Sequence, residues 1–110
     1  MNRWNIPAWL EREVVDRDRS CVYCGTSFAQ ISATRRARPS WEHIVNDARI
    51  ITKENIVLCC IGCNASKGTK AIAVWHQSHY CGARGITERS VAPVVQAALA
   101  ALALQGASGV

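Results

Sequence analysis

The stretch LCCIGCNASKG, residues 58–68, decides the fold because it places three cysteines within five residues and ends in a lysine–glycine pair. Two residues separate Cys60 from Cys63, a spacing that lets both thiolates turn toward one metal ion. A second pair with the same spacing, Cys21 and Cys24, lies nearer the N-terminus. Together the pairs supply the four ligands of a tetrahedral zinc ion. The sequence therefore predicts a structural zinc site that ties the two halves of the chain together.

Two alternatives to the four-cysteine site remain open at this point. One pair could be incidental, with thiols that are merely buried or redox-active. A rival zinc site would use two cysteines and two histidines: Cys60, Cys63, His76 and His79. Its histidines have two residues between them, whereas such sites usually have about three to five, and it would leave the first pair unused. Of the remaining cysteines, Cys59 is predicted to point into the core, away from Cys60, and Cys81 has no predicted role.

The chain has 110 residues and a formal charge of +5, which suits one domain with a modest basic surplus. Such a surplus is compatible with a polyanionic partner but indicates one only weakly. The first twenty residues lack the apolar run of a secretory signal, and the apolar segment near the C-terminus is shorter than the ~20 residues of a membrane span. We expect a cytoplasmic protein without a membrane partner, in which paired cysteines hold metal rather than form disulfides.

The hydrophobic pattern predicts helices at both ends and two short strands between them. A helix is expected over 7–17, strands over 40–45 and 55–60, and a helix from near Asn64 to residue 77 with Gly68 as a weak point. Residues 81–90 are expected to form a linker, and Ser90 to cap a C-terminal helix over 90–105. The predicted fold class is α+β: one domain over 1–110, with an N-terminal helical region at 1–20 and a zinc-stapled ββα core at 21–75.

A zinc ion with four cysteine ligands has no open position for chemistry, so any catalytic function must lie in neighbouring residues. The polar residues closest in sequence to the strands and the cysteine pairs are Glu42, His43, Asn55 and Asn64. Each has an ordinary structural interpretation when it is taken alone. Their order along the chain is more informative than any one of them.

EHIV at 42–45, then Asn55 before IVLCC, then CIGCNASKG at 60–68, resembles the HNH nuclease family, which has a ββα-metal core. The resemblance covers about half of the chain, from Cys21 to Lys70. The segment GCNASKG is also similar to the corresponding stretch of phage endonucleases that resolve branched DNA. The chain departs from the family in having Glu42 where aspartate is commoner, and its long loop lacks the proline and glycines of many relatives.

The resemblance implies a role for each of these residues in DNA hydrolysis. His43 would be the general base that activates a water, and Asn55 would hold the loop that follows His43. Glu42 and Asn64 would bind a catalytic divalent ion. Because the last position of the family motif is an asparagine here, the resemblance favours Mg²⁺ or Mn²⁺ over zinc as this ion. The products would carry 5′-phosphate and 3′-hydroxyl ends.

Basic residues around these motifs could bind DNA phosphates without reading sequence. The residues predicted for this surface are Arg35, Arg36, Arg38, Lys67 and Lys70. Because a single site cuts one strand per encounter, we expect a monomer to nick duplex DNA. The apolar stripe at 91–104 either packs on its own domain or forms a homodimer. The alternatives are a dimeric resolvase of branched DNA and a zinc-stapled DNA-binding module without catalysis.

Overall fold

A small antiparallel sheet of two strands carries the residues of interest, with helices before and after it. The computed structural model describes residues 2–29 and 34–108; residues 1, 30–33, 109 and 110 of the predicted single domain lie outside this part. The elements are α1 (Ala8–Arg17), a 3-10 helix (Arg35–Ala37), β1 (Pro39–His43), β2 (Ile56–Cys60), α2 (Ile61–Lys67), α3 (Ile72–Trp75), α4 (His79–Arg84) and α5 (Pro93–Ser108). The chain is thus a small mixed domain of helices and a two-stranded sheet.

The N-terminal helix α1 forms where the apolar pattern predicts it. Leu10 and Val14 lie one turn apart on the buried face, and both are fully buried. They pack with Ile6, Ile56 and Leu58 in a small core cluster. This cluster attaches the N-terminal helix to β2.

The strands β1 and β2 pair in a register that sets Glu42 opposite Val57 and His43 opposite Ile56. All five residues of β2 are buried, as its run of apolar residues predicts. β1 is shorter than the predicted strand at 40–45. Its pairing ends at His43 because the backbone N–H of Val45 donates to the side chain of Asn55 instead of to a strand partner.

Helix α2 begins at Ile61, earlier than the predicted start near Asn64. The reason is that the Sγ atom of Cys60 accepts a hydrogen bond from the backbone N–H of Cys63, which caps the helix. The helix ends at Gly68, where a φ of 53° lies in a region that L side chains rarely adopt. The rest of the predicted helix is the separate short helix α3.

Two expectations for the C-terminal part need correction. The first residues of the predicted linker at 81–90 belong to α4, because the Ser78 side chain accepts the backbone N–H of Cys81 and caps that helix. Ser90 does not cap α5, which begins at Pro93; the Ser90 hydroxyl accepts the N–H of Thr87 instead.

Most of the apolar stripe at 91–104 packs on the domain itself. Val91 and Val95 are buried in the main core cluster, and partly buried side chains pack against it: Val94, Ala98, Leu99 and Leu102. Leu104, farther along α5, is 70% exposed. No helix in the described ranges is long and apolar enough to cross a membrane.

Candidate metal centre and active site

The four paired cysteines come together at one point between the N-terminal region and the sheet. The Sγ atoms of Cys21, Cys24, Cys60 and Cys63 all lie within 4.8 Å of one another, and those of Cys24 and Cys60 are 3.7 Å apart. Four sulfurs around a zinc ion, each at about 2.3 Å, would be separated by about 3.8 Å. The cluster therefore fits a structural metal such as zinc, and the predicted grouping of these cysteines is confirmed.

Local hydrogen bonds orient the thiols of this cluster. The backbone N–H of Cys24 points at Cys21 Sγ (3.5 Å), and that of Cys63 points at Cys60 Sγ (3.4 Å). Tyr80 donates its hydroxyl to Cys63 Sγ at 3.3 Å. Hydrogen bonds among the four thiols lower the pKa of Cys24 and Cys60 and raise the pKa of Cys21 and Cys63.

The rival set of two cysteines and two histidines does not form among residues 2–29 and 34–108. His79 is exposed on α4, and the one group of three or more close potential metal ligands in these ranges is the four-cysteine cluster. Cys59 and Cys81 are fully buried in the core cluster, as predicted for Cys59.

A second site lies where β1 meets α2. A cavity of about 540 Å³ is lined by Glu42 and His43 from the strand and by Asn64 from the helix. Three residues that the sequence analysis singled out are thus brought to one cavity. The other lining residues come from the N-terminal segment, β1 and its neighbours: Asn2, Arg3, Trp4, Ser40, Trp41, Asn46 and Gly68.

Glu42 is held by three hydrogen bonds inside the protein. Its Oε2 accepts the Nζ of Lys67 at 3.1 Å and the hydroxyl of Tyr23 at 3.2 Å, while its Oε1 accepts the backbone N–H of His43 at 3.1 Å. Burial raises the pKa of Glu42, and the positive charge of Lys67 opposes that shift. One lone pair of Oε1 therefore remains for a further partner.

His43 is buried and lies beside Trp4. The two rings meet edge to face, with their centroids 5.1 Å apart, and only 5% of His43 is exposed. Its Nε2 atom is buried without a hydrogen-bond partner among the described residues. Burial and the charge of Lys67 lower the pKa of His43 below its usual 6.5, while Asp47 opposes them, so the imidazole is neutral at neutral pH.

The two asparagines are fixed by their amide groups. Asn64 Nδ2 donates to the hydroxyl of Ser40 and to the carbonyl of Trp41, both at 3.0 Å, so its amide oxygen is the atom left for a ligand. Asn55 bridges the loop after β1: its Oδ1 accepts the N–H of Val45, and its Nδ2 donates to the carbonyls of Val45 and Ile50. Asn55 thus fixes the backbone directly beyond His43.

The predicted DNA-binding residues divide into two groups. Arg35, Arg36, Arg38 and Lys70 are exposed, as a phosphate-binding surface requires. Lys67 is fully buried and ion-paired with Glu42, so its assignment to that surface is wrong. Its hydrocarbon stem lies in the core because its ammonium group finds a buried carboxylate.

Sequence reasoning missed Tyr23 and Trp4 at this site. Tyr23 lies between the two cysteines of the first pair and donates its hydroxyl to Glu42 Oε2. Trp4 precedes the first helix and contacts His43, far along the chain. A tryptophan outside the helical pattern was the available signal, but it does not indicate which residue it meets.

Fold and site together define a small α+β domain with a four-cysteine cluster that could hold a metal ion. No protein-family model matches the chain, and neither a curated protein nor a solved structure does. The resemblance to HNH nucleases therefore rests on the chain's own residues.

Proposed function

We propose that this protein is a metal-dependent HNH endonuclease that hydrolyses phosphodiester bonds in DNA. The observation that carries the proposal is the single cavity lined by Glu42, His43 and Asn64. These side chains offer a carboxylate, an imidazole and an amide, which together can activate a water and hold a hard divalent ion. The nearby four-cysteine cluster supports the proposal by fixing the start of α2, the helix that carries Asn64.

His43 is the general base in this proposal. Its neutral imidazole takes a proton from the attacking water at Nε2, the atom without a protein partner. A pKa below 6.5 keeps the ring unprotonated, and so able to act, at neutral pH. Asn55 positions it by tying down the backbone of the residues that follow.

Glu42 and Asn64 fit a Mg²⁺ or Mn²⁺ ion through oxygen atoms. The amide oxygen of Asn64 is left for a ligand because its nitrogen donates to Ser40 and Trp41. Oε1 of Glu42 accepts only the N–H of His43 among the described groups. A bound divalent ion would neutralise charge on the phosphate and on the leaving 3′ oxygen.

The exposed arginines Arg35, Arg36 and Arg38 provide sequence-independent phosphate contacts in this proposal. One active site per chain nicks one strand and leaves 5′-phosphate and 3′-hydroxyl ends. A homodimer through α5 would bring two sites together and would suit a resolvase of branched DNA. Leu104, which is 70% exposed on α5, is the apolar group such an interface would cover.

A second candidate is a zinc-stapled DNA-binding module without catalysis. It is favoured by the ion pair that already engages Glu42 and by the burial of His43 Nε2. In that case the cavity residues would serve to hold the strand and the helix together, and the arginines alone would account for DNA binding.

Nicking of supercoiled plasmid tests the proposal. Protein freed of loosely bound ions, with its cysteine-bound metal still present by elemental analysis, is incubated with Mg²⁺, with Mn²⁺ or with neither. We expect open circles only with the added ion, none with His43→Ala, and wild-type activity with the exposed-histidine control His79→Ala. Early linear product, or faster cleavage of a four-way junction than of duplex, would indicate a dimeric resolvase. Retardation of the plasmid without any cleavage would overturn the nuclease and leave the binding module.

A further inference from the structure

The Nε2 atom of the candidate base is buried, and a residue of the N-terminal segment packs on its ring. Trp4 packs edge to face on the imidazole of His43, and His43 Nε2 has neither exposed surface nor a hydrogen-bond partner among the described residues. An imidazole nitrogen in this state cannot take a proton from a water, since no water reaches it. If His43 acts as a base through Nε2, the group that covers this atom has to move.

The segment that holds Trp4 is a short turn that is tied to itself and anchored at three points: Ile6 in the core cluster beneath α1, the Trp4 ring packed against that cluster, and a hydrogen bond from Asn2 to Glu11 on α1. The Asn2 side chain accepts the backbone N–H groups of Trp4 and Ile6 through Oδ1, and donates to the carbonyl of Ile6. Asn5 adopts a φ of 57°, a conformation that asparagine tolerates better than most residues. Ile6 is buried in the cluster beneath α1. The turn at 2–5 can swing about Ile6 once the Asn2–Glu11 hydrogen bond and the packing of Trp4 are broken, while Leu10 and Val14 of α1 stay buried.

Arg3 is placed to respond to an anion at the cavity. Its exposed guanidinium lies 4.5 Å from the centre of the Trp4 ring, and both residues line the cavity with Glu42, His43 and Asn64. Stacking of a cation on an exposed ring is a weak contact, whereas guanidinium and phosphate form paired, charge-assisted hydrogen bonds. A DNA phosphate entering the cavity would draw Arg3 away from the indole.

We propose that the N-terminal turn at 2–6 belongs to the DNA-binding site: Trp4 shields His43 in the free protein, and contact of Arg3 with a phosphate of the bound strand releases this cover. The role of the uncovered His43 rests on the proposed nuclease function. The shielding of His43 by Trp4 concerns the protein without DNA and does not depend on the proposed nuclease function.

Chemical labelling of the three histidines tests the cover directly. Diethyl pyrocarbonate reacts with accessible imidazole nitrogens, and peptide mass spectrometry gives the rate at each histidine. Exposed His79 is the internal reference, and His76, whose Nε2 is also buried, reports on unfolding. We expect Trp4→Ala to raise labelling at His43 by about tenfold or more relative to His79, because the nitrogen no longer depends on a local opening. Trp4→Phe keeps a ring over the imidazole, so its labelling rate at His43 should lie between those of wild type and Trp4→Ala.

A matched control is Trp9→Ala, since Trp9 is 57% exposed on α1 and is expected to leave His43 labelling unchanged. Equal labelling of His43 in wild type and Trp4→Ala would overturn the proposal. A joint rise at His43 and His76 would also overturn it, because the whole fold and not a cover would then protect His43.

Plasmid nicking tests the part assigned to Arg3. Arg3→Ala should lower kcat/KM for DNA severalfold, because a bound phosphate then no longer draws the cover away from His43, whereas Arg12→Ala, which changes an exposed arginine on α1, should match wild type. An unchanged kcat/KM in Arg3→Ala would exclude Arg3 from this role. If wild type cuts no DNA while Trp4→Ala still exposes His43, the proposed function fails and the cover stands.

Discussion

Lys67 Nζ lies 3.1 Å from Glu42 Oε2, and both side chains are buried, with 0% and 7% of their surfaces exposed. Lys67 also donates to the backbone carbonyl of His43 at 3.4 Å. It projects from the same face of α2 as Asn64, three residues earlier, which donates to Ser40 and Trp41 of β1. Helix α2 therefore contacts four successive residues of β1, 40–43, through Asn64 and Lys67. These contacts bring Asn64 to the same cavity as Glu42 and His43.

Breaking this ion pair from one side should destabilise the fold strongly. Lys67→Met leaves a buried carboxylate without its counter-charge, and we expect a loss of about 3–5 kcal/mol in the free energy of unfolding, measured by urea denaturation. The double variant Glu42→Gln/Lys67→Met removes both charges and should recover part of that loss. Lys70→Met, an exposed lysine in the same segment, should change stability by no more than about 0.5 kcal/mol. A loss of the same size in Lys67→Met and Lys70→Met would contradict the buried pair.

The burial of Lys67 also shows why part of this site escaped sequence-based prediction. A lysine just before a glycine at a helix end is usually solvated, and here its environment depends on Glu42, which the fold brings from another element. The same holds for Trp4 and His43. These contacts are non-local, so no local pattern reports them.

What could be predicted depends on short-range geometry. A spacing of two residues between cysteines lets both thiols face one ion, whatever the rest of the fold is. The grouping of Cys21, Cys24, Cys60 and Cys63 could therefore be predicted from the sequence. The ends of the helices were harder to predict. For example, Cys60 Sγ caps α2 in place of the usual serine, threonine, aspartate or asparagine. Ser78, which caps α4, lies between the predicted helix over 64–77 and the predicted linker at 81–90, so neither prediction included it.

Adjacent cysteines allow a sharp test of the metal centre. Cys60→Ala removes a ligand of the cluster, and Cys59→Ala removes a buried core thiol that lies next to it. We expect about one zinc per wild-type chain by elemental analysis, the same for Cys59→Ala, and loss of both metal and folded structure for Cys60→Ala, since metal binding of this kind supplies folding free energy of about 10 kcal/mol or more. Retention of zinc in Cys60→Ala would show that the four-cysteine cluster is not the site.

The hydroxyl of Tyr80 should tune that metal centre. It donates to Cys63 Sγ at 3.3 Å, and such outer contacts to a ligand typically contribute about 10–100-fold to metal affinity. Tyr80→Phe keeps the ring on which Arg84 stacks and removes only the donor. Competition with a coloured chelator should show weaker zinc binding in this range. Arg84→Ala loses the stacking and a hydrogen bond to the Tyr80 carbonyl but leaves the Tyr80 hydroxyl in place, so it should keep the wild-type affinity. If Tyr80→Phe binds zinc as tightly as wild type, the hydrogen bond from Tyr80 to Cys63 does not contribute to metal affinity.

Asn55 should be important for stability as well as for the geometry of the site. Asn55→Ala deletes three hydrogen bonds and leaves the N–H of Val45 without its acceptor. We expect a loss of about 2–4 kcal/mol in urea denaturation. Asn46→Ala, at an exposed position in the same loop, serves as the matched control and should stay close to wild type. Equal stability of the two variants would show that the loop does not depend on Asn55.

His76 should make the stability of the fold depend on pH. Burial lowers the pKa of this imidazole below its usual 6.5, and Glu88 opposes the shift. The unfolded chain therefore binds a proton at a higher pH than the folded one, so the free energy of unfolding rises with pH between the lowered pKa and 6.5 and is lost as pH falls through this window. The other titratable groups also make stability depend on pH, but their contribution is the same in every variant. Comparing variants therefore isolates the contribution of His76.

We expect His76→Gln to lose less stability than wild type between about pH 7.5 and about pH 5.5 in parallel urea titrations. Exposed His79 provides the control, since His79→Gln should keep the wild-type difference between the two pH values. If His76→Gln loses as much stability as wild type, the His76 imidazole must carry its proton equally well in the folded and unfolded chain, and its burial would have no consequence for stability.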